Sequence, residues 1–243
     1  KLSHIHFPAS EKSKERIIAM GEDPKFVFNV GCPSIDLIKE SNLTYREGIF
    51  NEAKGIGGKI DFTKAYVVVL MHPVTTKTEE TKKTINELLK AIIQIGKRNI
   101  QIVWLWPNID SGAEIVSKAI RTSKDLYDLK NLHLYKNFPP DHYLVLIKNC
   151  KCLIGNSSSG LREASFLGTP VVNIGTRQQY RESASNVKNV NHDSNEIFEN
   201  VINQINHGKY TSSNHLGNGN SGEKMCRILA DINLPSAQKK LYY

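Results

Sequence analysis

A chain of 243 residues, 40% of them hydrophobic and 23% charged, can bury a substantial core and suits one large domain or one and a half small ones. No apolar run approaches the roughly 18 residues of a membrane-spanning helix, and the N-terminus lacks a charged-then-apolar leader pattern, so the expected setting is the cytoplasm with no membrane partner. The formal charge of +8 is dispersed over the exposed faces of expected helices, at Lys12, Lys14, Lys82, Lys83, Lys90 and Lys97, with no aromatic ladder, helix-turn-helix or zinc-finger spacing; this argues against a nucleic-acid partner and suits an anionic small molecule.

In chain order, Leu2 to Phe7 alternates like a strand, Glu11 to Met20 has amphipathic helical spacing with Ser10 as N-cap, and Phe26 to Val30 reads as a short buried strand closed by Gly31. These segments predict a β-α-β unit, and an opening at Lys1 inside a strand reads as a fragment of a longer protein. Pro33 to Gly58 is polar and weakly patterned, with Gly55-Ile56-Gly57-Gly58 its most flexible part, and is read as a hinge between two domains.

From Tyr66 the alternation becomes regular. Strands are expected at Tyr66 to Met71, Ile100 to Trp106, Leu132 to Tyr135, Cys150 to Ile154 and Val171 to Ile174, and helices at Lys82 to Ile95, Ala113 to Arg121, Asp141 to Lys148 and Arg162 to Leu167. Continuous Val/Ile/Leu strands between amphipathic helices specify an α/β fold, a Rossmann-like parallel sheet with helices on both faces. Helices at Asn195 to Asn206 and Glu223 to Ile232, with a Gly217-Asn218-Gly219-Asn220 turn between them and a peripheral tail from Gln238, complete the chain. Cys32, Cys150, Cys152 and Cys226 have no C-x-x-C spacing, so free thiols and no metal are expected, with one of the Cys150/Cys152 pair facing the core.

Ligands of such sheets bind beyond the carboxyl ends of the strands. Those ends read His72-Pro73-Val74-Thr75-Thr76, Pro107-Asn108-Ile109-Asp110, Lys136-Asn137-Phe138, Asn156 to Ser159, and Gly175-Thr176-Arg177, each polar or cationic. The richest is the fourth. An apolar run ends at Gly155, a small polar cluster follows, and Leu161 to Leu167 has helical spacing, the order of a strand, a tight loop and a helix N-terminus. Such a loop lets unpaired N–H groups converge on an anion, with roughly half a positive charge from the helix dipole, and a diphosphate is the natural occupant. Glu163, in the first turn of that helix, is placed to accept hydrogen bonds from ribose hydroxyls. His72 is expected to donate to a phosphate oxygen or, as an imidazolium, to neutralise charge on a leaving group; Asn108 could anchor the sugar, and Arg177 could pair with phosphate in a bidentate fork. An ordinary structural βα turn uses the same small residues. The triple serine is not a G-x-S-x-G elbow.

The stretches KLSHIHF, VGCPSID, HPVTT, PNIDSG, GNSSSGLREASFLGTPVVNIGTRQ and GNGN followed by RIL resemble the hydrolysing UDP-N-acetylglucosamine 2-epimerases over nearly the whole chain. HPVTT and NSSSGLRE favour that branch over the non-hydrolysing one, which tends to carry G-H-R-x-E and D-S-G-G-x-Q-E-E. The resemblance implies a glycosyltransferase-B fold of two Rossmann-like domains, with residues 1–38 the last part of the N-terminal one and residues 39–243 the UDP-binding C-terminal one. It implies elimination of UDP from UDP-N-acetylglucosamine followed by addition of water to give N-acetylmannosamine, no cofactor, and a homo-oligomer, dimer or tetramer. It assigns His72 and Asn108 to the nucleotide sugar, with His72 also catalytic, Ser157 and Ser158, with Ser159, to the diphosphate, Glu163 to the ribose and Arg177 to the UDP rim. Tyr143 falls near the base and Lys136 in the same site, although periodicity alone makes Tyr143 a core residue. The acid/base carboxylates belong to the family's preceding half. Alternatives are an epimerase for another UDP- or GDP-linked acetamido sugar, a non-hydrolysing epimerase, a glycosyltransferase of the same architecture, and a non-catalytic nucleotide-sugar sensor.

Overall fold

The computed structural model describes residues 2–75, 78–240 and 242. Thr76, expected at the end of the first regular strand, and Lys1, Leu241 and Tyr243, from the expected opening strand and tail, lie outside the described residues. In chain order the elements are α1 (Glu11–Ala19), α2 (Pro33–Glu40), β1 (Gly55–Gly57), β2 (Tyr66–Leu70), α3 (Thr78–Gly96), β3 (Gln101–Leu105), α4 (Ala113–Thr122), α5 (Lys124–Tyr127), β4 (Leu132–Tyr135), α6 (Pro140–Asn149), β5 (Cys152–Gly155), α7 (Glu163–Phe166), β6 (Val171–Ile174), β7 (Val187–Val190), α8 (Ser194–His207) and α9 (Ser221–Asp231). They form two compact units, Lys1–Asn42 with Ser213–Tyr243, and Leu43–Ser212.

In the first unit Ser10 caps α1 as expected, its hydroxyl accepting from the N–H of Ser13 at 3.3 Å. The two strands expected to flank α1 do not form. What remains is one parallel bridge between His6 and Val27. His6 N–H donates to Phe26 O, Phe28 N–H to His6 O and Val30 N–H to Pro8 O, but Pro8 has no N–H to supply the bond between the last two, so the ladder stops. Residues 24–26 turn instead into a 3-10 helix capped by Asp23. The stretch read as a hinge is largely structured: its start is α2, with Pro33 in the first turn and Ile35 and Ile38 buried. Proline's fixed φ favours a helix start, and the three-residue spacing of those isoleucines was the sequence signal for it.

The unit that contains α2 also takes in residues 213–243, which the expected division had assigned with 39–212. Hydrogen bonds explain the grouping. Cys32 N–H donates to Leu216 O at 2.8 Å, and the carboxylate of Asp36 accepts from Ser221 N–H (3.0 Å), Ser221 Oγ (2.7 Å) and Gly222 N–H (2.7 Å). A carboxylate on the exposed N–H groups of α9 both caps that helix and meets the positive end of its dipole.

The second unit is built on a seven-stranded sheet in the order β1-β4-β3-β2-β5-β6-β7. All neighbours pair in parallel except the edge strand β1, which runs antiparallel to β4. β1 is the glycine run expected to be flexible. A Cβ on Gly55 would lie 2.4 Å from Leu134 O, so glycine here permits backbone contact at the sheet edge. β7 and the short α5 were not anticipated; β7 leaves Lys188 and Asn189 exposed and so lacks the continuous apolar run of the inner strands.

Alternate strand residues feed two faces. Val67, Val69, Ile102, Trp104, Leu132, Leu134, Cys152, Ile154, Val172 and Ile174 pack with Ile85, Leu88 and Ile92 of α3, Val116 and Ile120 of α4, and Ile197 and Val201 of α8. On the other face Tyr66 donates its hydroxyl to Leu146 O of α6 at 2.8 Å, and burial raises its pKa above the ordinary phenol range. Cys150 and Cys152 are both buried free thiols, Cys150 pushed up to about 12 by burial. The unit is thus a Rossmann-like sheet covered on both faces, with the strand ends β2, β5 and β6 side by side.

Candidate nucleotide-binding site

Gly155 closes β5 with φ +136°, pressed against β2 so that a Cβ would stand 2.0 Å from Leu70 O. That contact delivers Asn156 to the end of β2. Asn156 is 1% exposed, and its side chain takes both backbone groups of His72: Oδ1 accepts from His72 N–H at 2.8 Å and Nδ2 donates to His72 O at 2.9 Å. The carbonyl of Asn156 in turn accepts from Nη1 of Arg177 at 3.0 Å and Nε2 of Gln178 at 2.8 Å. One residue therefore joins the chain after β2, the chain after β5 and the chain after β6.

Beyond it the serine loop is more internally bonded than a simple anion cradle. Ser157 Oγ accepts from Ser159 N–H (3.3 Å), Gly160 N–H donates to Ser157 O, and the N–H groups of Leu161 and Arg162 both donate to Ser158 O. Among the described residues, Ser157 and Ser158 keep their N–H groups without a partner. The expected helix from Arg162 to Leu167 is a 3-10 turn at Ser158–Gly160 and then the four-residue α7, separated by Arg162 at φ −104°, ψ −85°. So short a helix sums few peptide dipoles, and attraction for an anion has to come from N–H groups and the nearby guanidinium rather than from a helix dipole.

His72 is 4% exposed, and burial, reinforced by the positive charge of Arg177 and opposed by Asp110, lowers its pKa to about 4. The imidazolium expected from sequence is therefore corrected to a neutral ring at neutral pH. Asn108 N–H approaches Nδ1 at 3.5 Å, which makes Nδ1 the acceptor and leaves the proton on Nε2. A neutral imidazole of this tautomer is a hydrogen-bond donor.

The remaining predicted residues separate into two groups. Tyr143 of α6 and Ser159 share a hydroxyl–hydroxyl bond of 2.8 Å, and burial together with the charge of Glu163 raises the phenol above its ordinary range. Glu163, with its side chain 13% exposed, has Arg162 Nε 4.0 Å away and no hydrogen bond to its Oε2. Tyr143 and Glu163 thus adjoin the serine loop at Ser159. Lys136 lies apart at the end of β4, exposed, with its N–H on Lys54 O at 2.9 Å.

Sequence reasoning grouped Asn156 with the serines and missed its role; a lone Asn between a glycine-terminated strand and a serine cluster is its signal. Gln178 had no signal beyond its place after Arg177. Gln178 is also one wall of a cavity of about 300 Å³ past the ends of β6 and β7. Among the described residues no group of three His, Cys, Asp or Glu could hold a metal, and no helix is long and apolar enough to cross a membrane.

A family model described as UDP-N-acetylglucosamine 2-epimerase matches residues 1–230. The chain is 32% identical to the UDP-N,N'-diacetylbacillosamine 2-epimerase (hydrolyzing) of Legionella pneumophila over 236 residues, which cover 97% of this chain and 60% of that protein. It is 29% identical to the UDP-N-acetylglucosamine 2-epimerase of Neisseria meningitidis over 245 residues, 99% of this chain and 62% of that protein. Among solved structures, the Methanocaldococcus jannaschii UDP-GlcNAc 2-epimerase in complex with UDP-GlcNAc and UDP is similar with a TM-score of 0.72 at 20% identity, over 94% of this chain and 61% of that one. At that identity the likeness is one of fold. The chain spans about three fifths of the length of these relatives, 60% and 62% for the two curated proteins.

Proposed function

The chain belongs to the UDP-N-acetylglucosamine 2-epimerase family, and from that premise we propose that it is the nucleotide-binding portion of a hydrolysing 2-epimerase, which converts UDP-N-acetylglucosamine and water to N-acetylmannosamine and UDP for sialic-acid-type sugar synthesis. The observation that carries the reading is the network in which Asn156 holds His72 and Arg177 at one rim, next to the free N–H groups of Ser157 and Ser158. A guanidinium, a neutral imidazole donor and two N–H groups together suit a diphosphate. In this reading Arg177 and the loop bind phosphate charge, and His72 Nε2–H donates to the bridging or terminal oxygen that gains charge as the C1–O bond to UDP breaks. Glu163 accepts from the ribose hydroxyls through Oε1, its Oε2 being buried beside Arg162. Residues 43–212 are then the C-terminal Rossmann-like domain of the whole protein, and the first unit belongs to the N-terminal one.

A second substrate has specific support. The Legionella relative is by name an enzyme of UDP-N,N'-diacetylbacillosamine, a sugar with an additional acetamido group. Incubating the full-length protein with each nucleotide sugar and identifying the released hexose by NMR decides between them. Release of N-acetylmannosamine together with UDP supports the first reading, a 2,4-diacetamido product supports the second, and an unhydrolysed epimer of the nucleotide sugar overturns the hydrolytic assignment.

A further inference from the structure

We propose that Asn156 is the positioning residue of this site, its side chain setting His72 and its backbone carbonyl setting Arg177 in register with the serine loop; the proposal rests on the reading of that loop as a UDP site. His72 lies past the last ladder residue of β2, where no strand neighbour is available to bond its backbone. Asn156 supplies the two bonds a neighbouring strand would have made, at 2.8 and 2.9 Å, so its amide acts as one more rung of the sheet. Its own N–H, which donates to Leu70 O at 3.3 Å, continues the β5 pairing into that rung. On the other side its carbonyl holds two donors from the chain after β6, and one of them is Arg177.

The chemistry requires this residue type. An amide offers a donor and an acceptor in one plane, matching the N–H and C=O of a single peptide residue, and it carries no charge that would repel phosphate. A carboxylate would keep the acceptor, lose the donor and set negative charge beside the loop; an aliphatic side chain would leave two backbone groups of His72 buried and unpaired. Asn156 does not need to touch the ligand to do this. It acts through His72, whose ring is held in the buried setting that keeps it neutral, and through Arg177, whose reach across to the loop depends on a carbonyl that Asn156 presents.

The test uses Asn156→Ala in the full-length protein, with Asn131→Ala as the control. Asn131 also ties backbone together through its side-chain amide, Nδ2 donating to Gly96 O at 2.9 Å and to Ile100 O at 2.8 Å, where the chain enters β4 at the opposite end of the sheet. Two readouts are taken: UDP affinity by calorimetry, and the titration of His72 by NMR. Asn156→Ala is expected to weaken UDP at least tenfold and to move the His72 midpoint up from about 4 toward 6.5 as the ring gains access to water, while Asn131→Ala changes neither although it lowers thermal stability. If Asn156→Ala does not fold, Asn156→Thr, neutral and of similar volume with one acceptor, is read in its place and is expected to show the same shifts in smaller measure. A His72 midpoint that stays near 4 with unchanged UDP affinity overturns the proposal, as do equal losses in the Asn156 and Asn131 variants. If the wild-type protein binds no UDP, the functional reading fails, and the His72 titration alone still decides whether Asn156 positions the ring.

Discussion

The α-carbon of Gly155 faces the carbonyl of Leu70 so closely that a Cβ would come within 2.0 Å of the oxygen, and its φ of +136° is one that L side chains rarely adopt. Relief would require β2 and β5 to separate at the centre of the sheet, where Val68, Val69, Leu153 and Ile154 are all but fully buried. Gly155→Ala is therefore expected to destabilise the protein by more than about 3 kcal/mol, the sum of a forbidden backbone conformation and a lost strand contact. Urea denaturation followed by circular dichroism measures it. A midpoint within experimental error of wild type would show that the two strands can part without cost.

His72 gives the stability of the protein a pH dependence whose sign is fixed. Its folded pKa of about 4 is depressed below the ordinary 6.5, so between those values the unfolded state binds the extra proton. The stabilisation linked to this group is fully present above pH 6.5, is lost progressively as pH falls toward 4, and changes no further below that; the shift corresponds to about 3 kcal/mol. His72→Gln is expected to flatten that part of the profile. Melting temperatures of the two proteins from pH 7 to pH 4 check it, and parallel curves would mean that the ring is not held in its buried setting.

How much of this was legible in sequence follows from the range of the interactions. Leu132 to Tyr135 and Val171 to Ile174 match the observed strands to the residue, because inner strands are buried along their length and mostly apolar, with His133 and Asn173 the exceptions. The edges were not. β1 is the three-residue strand Gly-Ile-Gly whose role comes from pairing with β4, where Ile56 faces Leu134, 78 positions along the chain, and the opening strands fail because Pro8 cannot return one hydrogen bond. At the site, the residue types at the strand ends were visible, whereas the charge state of His72 was not, since it depends on burial and on Arg177 from another strand.

Glu163 separates binding from stability. Its Oε2 is buried without a hydrogen bond and so adds little to the fold, while a ribose diol would donate to the other carboxylate oxygen. Glu163→Gln is expected to weaken UDP by about 1 to 2 kcal/mol, the loss of charge from bonds of this kind, with thermal stability unchanged or slightly raised. Calorimetry with UDP beside a thermal melt tests both halves. Unchanged affinity would reduce Glu163 to a carboxylate at the start of α7.

Tyr143 is expected to behave in the opposite way. Its hydroxyl is committed to Ser159 at 2.8 Å, so Tyr143→Phe leaves a buried serine oxygen short of a partner and costs about 1 to 2 kcal/mol of stability. The ring itself stays, and UDP affinity should change less than threefold. A tenfold loss of UDP with an unaltered melt would make the phenol a direct ligand contact.

The last prediction concerns where proton transfer happens. Eliminating UDP from a 2-acetamido sugar needs a base at C2, and a positioned acid or base contributes a factor of about 100 to 10,000. The carboxylate that interacts with both His72 and Arg177 is Asp110, on the exposed segment after β3, and its charge opposes the depression of the His72 pKa. If Asp110 only tunes the charge of this rim, Asp110→Asn should tighten UDP slightly, by removing a negative charge near the diphosphate, and should reduce turnover of the full-length protein by less than tenfold. On the proposed function, the 243-residue chain by itself should then bind UDP weakly and release no N-acetylmannosamine. A drop in kcat of a thousandfold on Asp110→Asn with KM unchanged, or turnover by the 243-residue chain at the full-length rate, would instead place the base on this chain and make Asp110, with Glu114 and Glu182, the carboxylates to resolve.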